Sequence, residues 1–169
     1  MRFISEAKGL ISLKAQKDAL RSTVAAYETH GQPCSTCDTP GACCLDEHFV
    51  NVRISRLEAV AITNVIDRLP TIQRIAVHER IADSAADLAA NPDTSTFACP
   101  LYDKTTGCLV HDEAKPVPCI VHACYATPDD LPPDALQDAA ELAIDKLNTR
   151  VYAKPTPLEP LPLAVSRVM

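Results

Sequence analysis

Eight cysteines carry the chemistry of this 169-residue chain. Four stand in one short run, Cys34-Ser-Thr-Cys37-Asp-Thr-Pro-Gly-Ala-Cys43-Cys44, and the other four, Cys99, Cys108, Cys119 and Cys124, fall in a second segment. A thiolate is a soft, charged ligand, and two thiolates separated by two residues can grip one metal ion because the turn between them brings both sulfurs to one side. Cys34 and Cys37 have that spacing, which is shared by zinc knuckles, iron-sulfur loops and thiol redox enzymes. Adjacent side chains on an extended backbone point apart, so Cys43 and Cys44 are expected to face different ions or different sides of one cluster. The expected centre combines Cys34, Cys37 and Cys44 with at least one cysteine from the Cys99 to Cys124 segment.

Eight thiols suffice for two four-thiolate zinc sites, or for one four-cysteine iron-sulfur cluster with thiols left over. The spacings match neither the bacterial nor the plant-type ferredoxin run. His48, His111 and His122 lie close to cysteines and could replace a thiolate; His122, between Cys119 and Cys124, is the best placed. For each of the three, an exposed loop histidine is the simpler reading. Buried apolar thiols explain the pattern poorly, because the cysteines fall in segments rich in proline and glycine and outside the four expected helices. Nothing like a strand-helix-strand unit surrounds Cys34 and Cys37, which speaks against a thioredoxin-like redox motif.

Taken in order, Cys34-x-x-Cys37, the double Cys43-Cys44, Cys99-Pro-Leu-Tyr, Gly107-Cys108-Leu-Val, Lys115-Pro116-x-x-Cys119 and Cys124 resemble the YkgJ family of zinc- or iron-chelating cysteine-cluster proteins, a CxxCxxCC-type domain. Phe49-Val-Asn-Val-Arg-Ile-Ser-x-x-Glu58 is similar to that family's strand leading into a helix. The resemblance covers about residues 34 to 126. It implies an iron or zinc centre, a 4Fe-4S cluster included, whose metal ligands are drawn from Cys34, Cys37, Cys43, Cys44, Cys99, Cys108, Cys119 and Cys124, in a small and mainly helical domain. The chain departs from the family pattern in the five residues between Cys37 and Cys43, in Lys115 where arginine is usual, and in Ile120 where arginine commonly follows the cysteine.

These ligands need a scaffold. A hydrophobic content of 47% is enough for one domain with its own core, and with 4% aromatics and no tryptophan that core is aliphatic, which suits close-packed helices. Apolar residues Phe3, Ala7, Leu10, Ile11, Leu13, Leu20 and Val24 predict a helix over about 3–28, with Lys8, Lys14, Lys17 and Arg21 on a wet basic side. Phe49 to Ile54 alternates as a strand would. Ser55 and Glu58 form a capping box ahead of a helix to Leu69, Pro70 interrupts, and a further helix runs from Thr71 to Ala90 with Ile72, Ile75, Ala76, Ile81, Ala85 and Leu88 inward. These two should form a helical hairpin between the thiol segments. Thr105-Thr106-Gly107 reads as a turn that delivers Cys108, and Pro116 and Pro118 stiffen the approach to Cys119. A last helix covers 133–150, and the tail over 151–169, with Pro155, Pro157, Pro160 and Pro162, predicts an extended polyproline-like strap. The expected fold is therefore mainly α: a single small helical domain over 1–169, a loop-rich cysteine metal centre, and at most a short β-hairpin.

The formal charge of −6 speaks against nucleic acid as a partner, since a phosphate backbone is held by excess lysine and arginine. The N-terminus lacks the apolar run of a signal peptide and no segment is apolar for the length of a bilayer, so a cytoplasmic protein without membrane association is expected. In that compartment thiols stay reduced and dense cysteines bind metal or react more often than they form disulfides. No phosphate-cradling glycine loop, dinucleotide fingerprint or nucleophile elbow is present. The first expectation is a metal-binding protein, acting in metal handling or with a protein partner in an assembly. The alternatives are a metal-dependent enzyme, protein modification among its reactions because the family resembles the cysteine-cluster part of bacterial flagellin lysine methylases, and a thiol-based redox sensor.

Overall fold

Helix starts are written locally in this chain. Ser5 accepts the Lys8 amide through its hydroxyl and opens α1 (Glu6–Glu28), and Ser55 and Glu58 cap each other's backbone to open α3 (Arg56–Ile66). In the computed structural model, which describes residues 2–32, 36–46, 50–91, 96–125 and 127–169, the elements in order are α1, β1 (Gly31–Gln32), α2 (Ala42–Leu45), β2 (Arg53–Ile54), α3, α4 (Thr71–Ala90), β3 (Tyr102–Asp103), β4 (Gly107–Cys108), α5 (Val117–Val121), β5 (Cys124–Tyr125), α6 (Asp134–Tyr152), β6 (Glu159–Pro160) and α7 (Leu161–Ser166). The architecture is mainly α, and among the described residues β-structure is limited to antiparallel pairs of two-residue strands. No helix among the described residues is long and apolar enough to cross a membrane.

Contacts gather the chain into two compact units. The first comprises residues 1–40 and 116–157 and the second residues 41–115 and 158–169. In the first unit α1 packs on α6 and on the short α5, and β1 pairs with β5 so that Gln32 lies opposite Cys124. The buried stripe of α1 is Gly9, Leu13, Lys17, Leu20 and Val24. Lys17 is only 3% exposed, contrary to its expected place on the wet side. It stands one turn after Leu13 and just before Leu20, so helical periodicity carries it onto the packed stripe, where its long aliphatic stem can line apolar surface. Ile11 and Phe3, expected inside, are exposed.

In the second unit the core is assembled from Val50, Ile54, Ile62, Ile66, Val77, Ile81, Leu88, Leu101, Val110, Leu161 and Val165, among others. Here the structure corrects two expectations and adds a partner to a third. On α4 the inward side is Val77, Ile81, Ala85 and Leu88, while Ile72 is 84% and Ile75 53% exposed; the first turn of the helix simply precedes the stripe that meets the core. The pair α3 and α4 shares one core, and both helices pack extensively against α7, a partner the hairpin expectation did not include. And α7 itself stands where an extended strap was expected. Pro162 lies in its first turn, where no backbone N–H is needed and the ring's fixed φ already suits a helix, so the proline-rich tail can fold back as a helix that buries Leu161, Ala164 and Val165.

The expected strand survives only as β2, which pairs with β6 of the tail in the register Arg53 opposite Pro160 and Ile54 opposite Glu159. Phe49 lies outside the described residues. The short hairpin is instead β3–β4, in the second cysteine segment.

Candidate metal centre

Four of the eight cysteines, Cys43, Cys44, Cys99 and Cys108, belong to the second unit. Cys43 and Cys44 sit on α2, one turn of helix. That corrects the extended backbone expected here: successive residues of a helix turn by about 100°, and the Cys43 thiol lies near enough to act electrostatically on that of Cys44. The turn starts at Gly41, whose φ of 80° lies in the left-handed region and whose carbonyl accepts the amides of Cys44 and Leu45 at 2.9 and 3.0 Å. A Cβ on Gly41 would fall 2.0 Å from Tyr102 Cζ, so the tyrosine ring lies directly against this bare backbone.

Two backbone bonds bring the second cysteine segment to the region of the first, and a side-chain bond from α4 holds it there. Phe97 donates to the carbonyl of Val50 at 2.9 Å, Cys99 donates to the carbonyl of Cys44 at 2.7 Å, and the guanidinium of Arg80 on α4 donates to the carbonyl of Pro100 at 2.9 Å. Cys108 is delivered by the β3–β4 hairpin, in which it faces Tyr102. The turn of that hairpin is closed by Asp103, whose carboxylate accepts the amides of Thr105 and Thr106 at 2.8 and 3.0 Å, and by Gly107 with φ 81°. The amides of Thr106 and then Thr105 hold the Asp103 carboxyl below its ordinary value.

All four thiols are half-buried, and none of them is in a disulfide. Cys99 and Cys108 also pack against the apolar core of the unit. Burial pushes the Cys44 thiol well above its ordinary value, and the neighbouring Cys43, Cys99 and Cys108, whose ionised sulfurs would repel a second negative charge, push it the same way. Without a counter-charge Cys44 is thus a neutral thiol at neutral pH. A cation placed among these sulfurs would reverse that balance, since metal coordination requires and stabilises the thiolate. The donor set therefore fits zinc or iron in chemical type. As the side chains stand, no group of three or more His, Cys, Asp and Glu among the described residues is arranged to hold a metal ion.

The other predicted ligands among the described residues fall in the first unit. Cys37 is half-buried, with its sulfur 3.9 Å from the Thr39 hydroxyl; Cys119 is carried on α5, within a helix where a loop was expected; Cys124 is on β5. His122 follows α5 and is exposed. Cys34 and His48 lie outside the described residues. His111 Nδ1 lies 2.9 Å from the Asp112 carboxylate. Gly41 and Tyr102 were given no role by sequence reasoning. The only signal for them was a glycine inside a thiol-rich run and an aromatic residue three positions after Cys99.

No family model matches the chain, and neither a curated protein nor a solved structure matches it.

Proposed function

We propose that this is a metal-binding protein whose Cys43, Cys44, Cys99 and Cys108 form one cysteine centre for zinc or iron, the iron in an iron-sulfur cluster. The observation that carries the reading is the environment of Cys44: three other cysteines, from its own helical turn and from two later segments, act electrostatically on one half-buried sulfur. Four thiols so gathered make an unfavourable cluster of would-be negative charges unless a cation neutralises them, and four is the number a structural zinc ion or an iron-sulfur cluster takes. Binding would draw the side chains inward from their present positions, coupling the centre to the packing of the β3–β4 hairpin.

The reading extends to the resemblance noted above. Membership of the YkgJ family suits the motif order Cys34 to Cys124, and a cytoplasmic location suits a dense cysteine pattern without disulfides among the described residues. Cys37, Cys119 and Cys124, together with Cys34, would serve a second set of thiols, with His122 as the substitute ligand. The test is metal and sulfide analysis with a visible spectrum on anaerobically prepared protein. Brown protein with iron and sulfide assigns a cluster, colourless zinc-containing protein assigns structural zinc, and the Cys44→Ser variant should lose at least one metal site's content. Protein that takes up neither metal, or a Cys44→Ser variant with undiminished content, overturns the reading.

A further inference from the structure

A second site, independent of the thiols, lies in the first unit. Arg2, Phe3, Ile4, Ser5, Lys8 and Arg150 line a cavity of about 400 Å³. The N-terminal segment is held to the last turn of α6 by two bonds: the Ile4 amide donates to the carbonyl of Arg150 at 3.2 Å, and Arg150 Nε donates to the carbonyl of Arg2 at 3.4 Å. Residues from opposite ends of the unit thus place three cations around one cavity. Among the described residues none of the three is in an ion pair. The acidic residue next in sequence, Glu6, accepts the Tyr152 hydroxyl at 2.6 Å.

We propose that this cavity binds a small organic anion, a phosphate or carboxylate group carrying a short apolar portion. In a chain of net charge −6, three cations gathered without a carboxylate among them repel one another, and an oxyanion relieves that repulsion. Arg150 spends its Nε–H on backbone and keeps the N–H groups at the end of its guanidinium, the fork that matches an oxyanion's paired oxygens. Ser5 Oγ accepts the Lys8 amide at 3.4 Å, which leaves its own O–H able to donate. Phe3 and Ile4 supply an apolar wall beside the charges, so the preferred ligand is an organic anion over a bare inorganic one.

Two-dimensional amide NMR on the full chain tests this, with inorganic phosphate, butyl phosphate and butyrate added at constant ionic strength. Saturable shifts of the Ile4 and Ser5 amides and of Arg150 Nε–H are expected, with butyl phosphate or butyrate binding more tightly than inorganic phosphate. Whichever of the two binds better assigns the anionic group. Arg2 and Lys8 are exposed, so the Arg2→Gln, Lys8→Gln double variant should keep the remaining spectrum while binding about tenfold more weakly. Arg150→Gln should weaken binding at least as much. Shifts that never saturate, or that persist unchanged in both variants, overturn the proposal.

Discussion

The amide of Cys99 donates to the carbonyl of Cys44 at 2.7 Å. This bond joins the two cysteine-bearing segments of the second unit at the residues that carry the sulfurs, so the fold brings backbone and ligand together in one step. Under the proposed reading, metal binding at Cys44 would therefore act on the packing of the segment from Cys99 to Cys108. Removing metal with a strong chelator should lower the melting temperature by several degrees, and re-addition should restore it. An unchanged transition in metal-free protein would show that the centre contributes nothing to folding.

Gly41 sets the start of the turn that carries Cys43 and Cys44. Gly41→Ala should destabilise the protein by at least about 1 kcal/mol, because alanine is strained at φ 80°, and the added methyl drives into the Tyr102 ring. Coupling to Tyr102→Ala separates the two causes: the double variant should recover the steric part and keep the conformational part. Urea unfolding measures both, and a Gly41→Ala variant as stable as the parent would contradict the geometry.

Asp103 gives the hairpin that holds Cys108 a defined pH dependence. Its carboxyl titrates below the ordinary 3.8 in the folded protein because the Thr106 and Thr105 amides hold the ionised form. The sign follows from linkage: the folded state binds the proton less readily than the unfolded one, so the contribution is complete above pH 3.8 and disappears as pH falls through the lowered value. The stability difference between the parent and Asp103→Asn should thus be constant near neutrality and shrink below that pH. A difference that stays level into acid would mean the turn bonds do not depend on the charge.

Leu161 tests the role of the tail. It is 1% exposed at the start of α7 and contributes to the core of the second unit. Leu161→Ala should cost about 2–5 kcal/mol, the usual range for emptying a buried leucine site. Ile72→Lys, at an apolar residue that is almost fully exposed on α4, should change stability by no more than about 0.5 kcal/mol. Equal effects of the two substitutions would refute the assignment of the inward faces.

Much of the helical scaffold was legible before any coordinates. The span Thr71–Ala90 of α4 and the Ser55–Glu58 capping box agree with expectation because proline placement and capping are local. Composition and helical periodicity likewise indicated a mainly α chain. What only the tertiary structure decided was partnership: which thiols gather around Cys44, that α7 packs on both α3 and α4, that Lys17 is buried, and that Tyr102 rests on Gly41. Periodicity states which residues of a helix share a side but not which side meets the core, so Ile72 and Ile75 were placed wrongly. A cysteine's spacing constrains only its nearest neighbours in sequence. The meeting of Cys44 with Cys99 and Cys108 depends on long-range backbone bonds and on a core closed by the last residues of the chain.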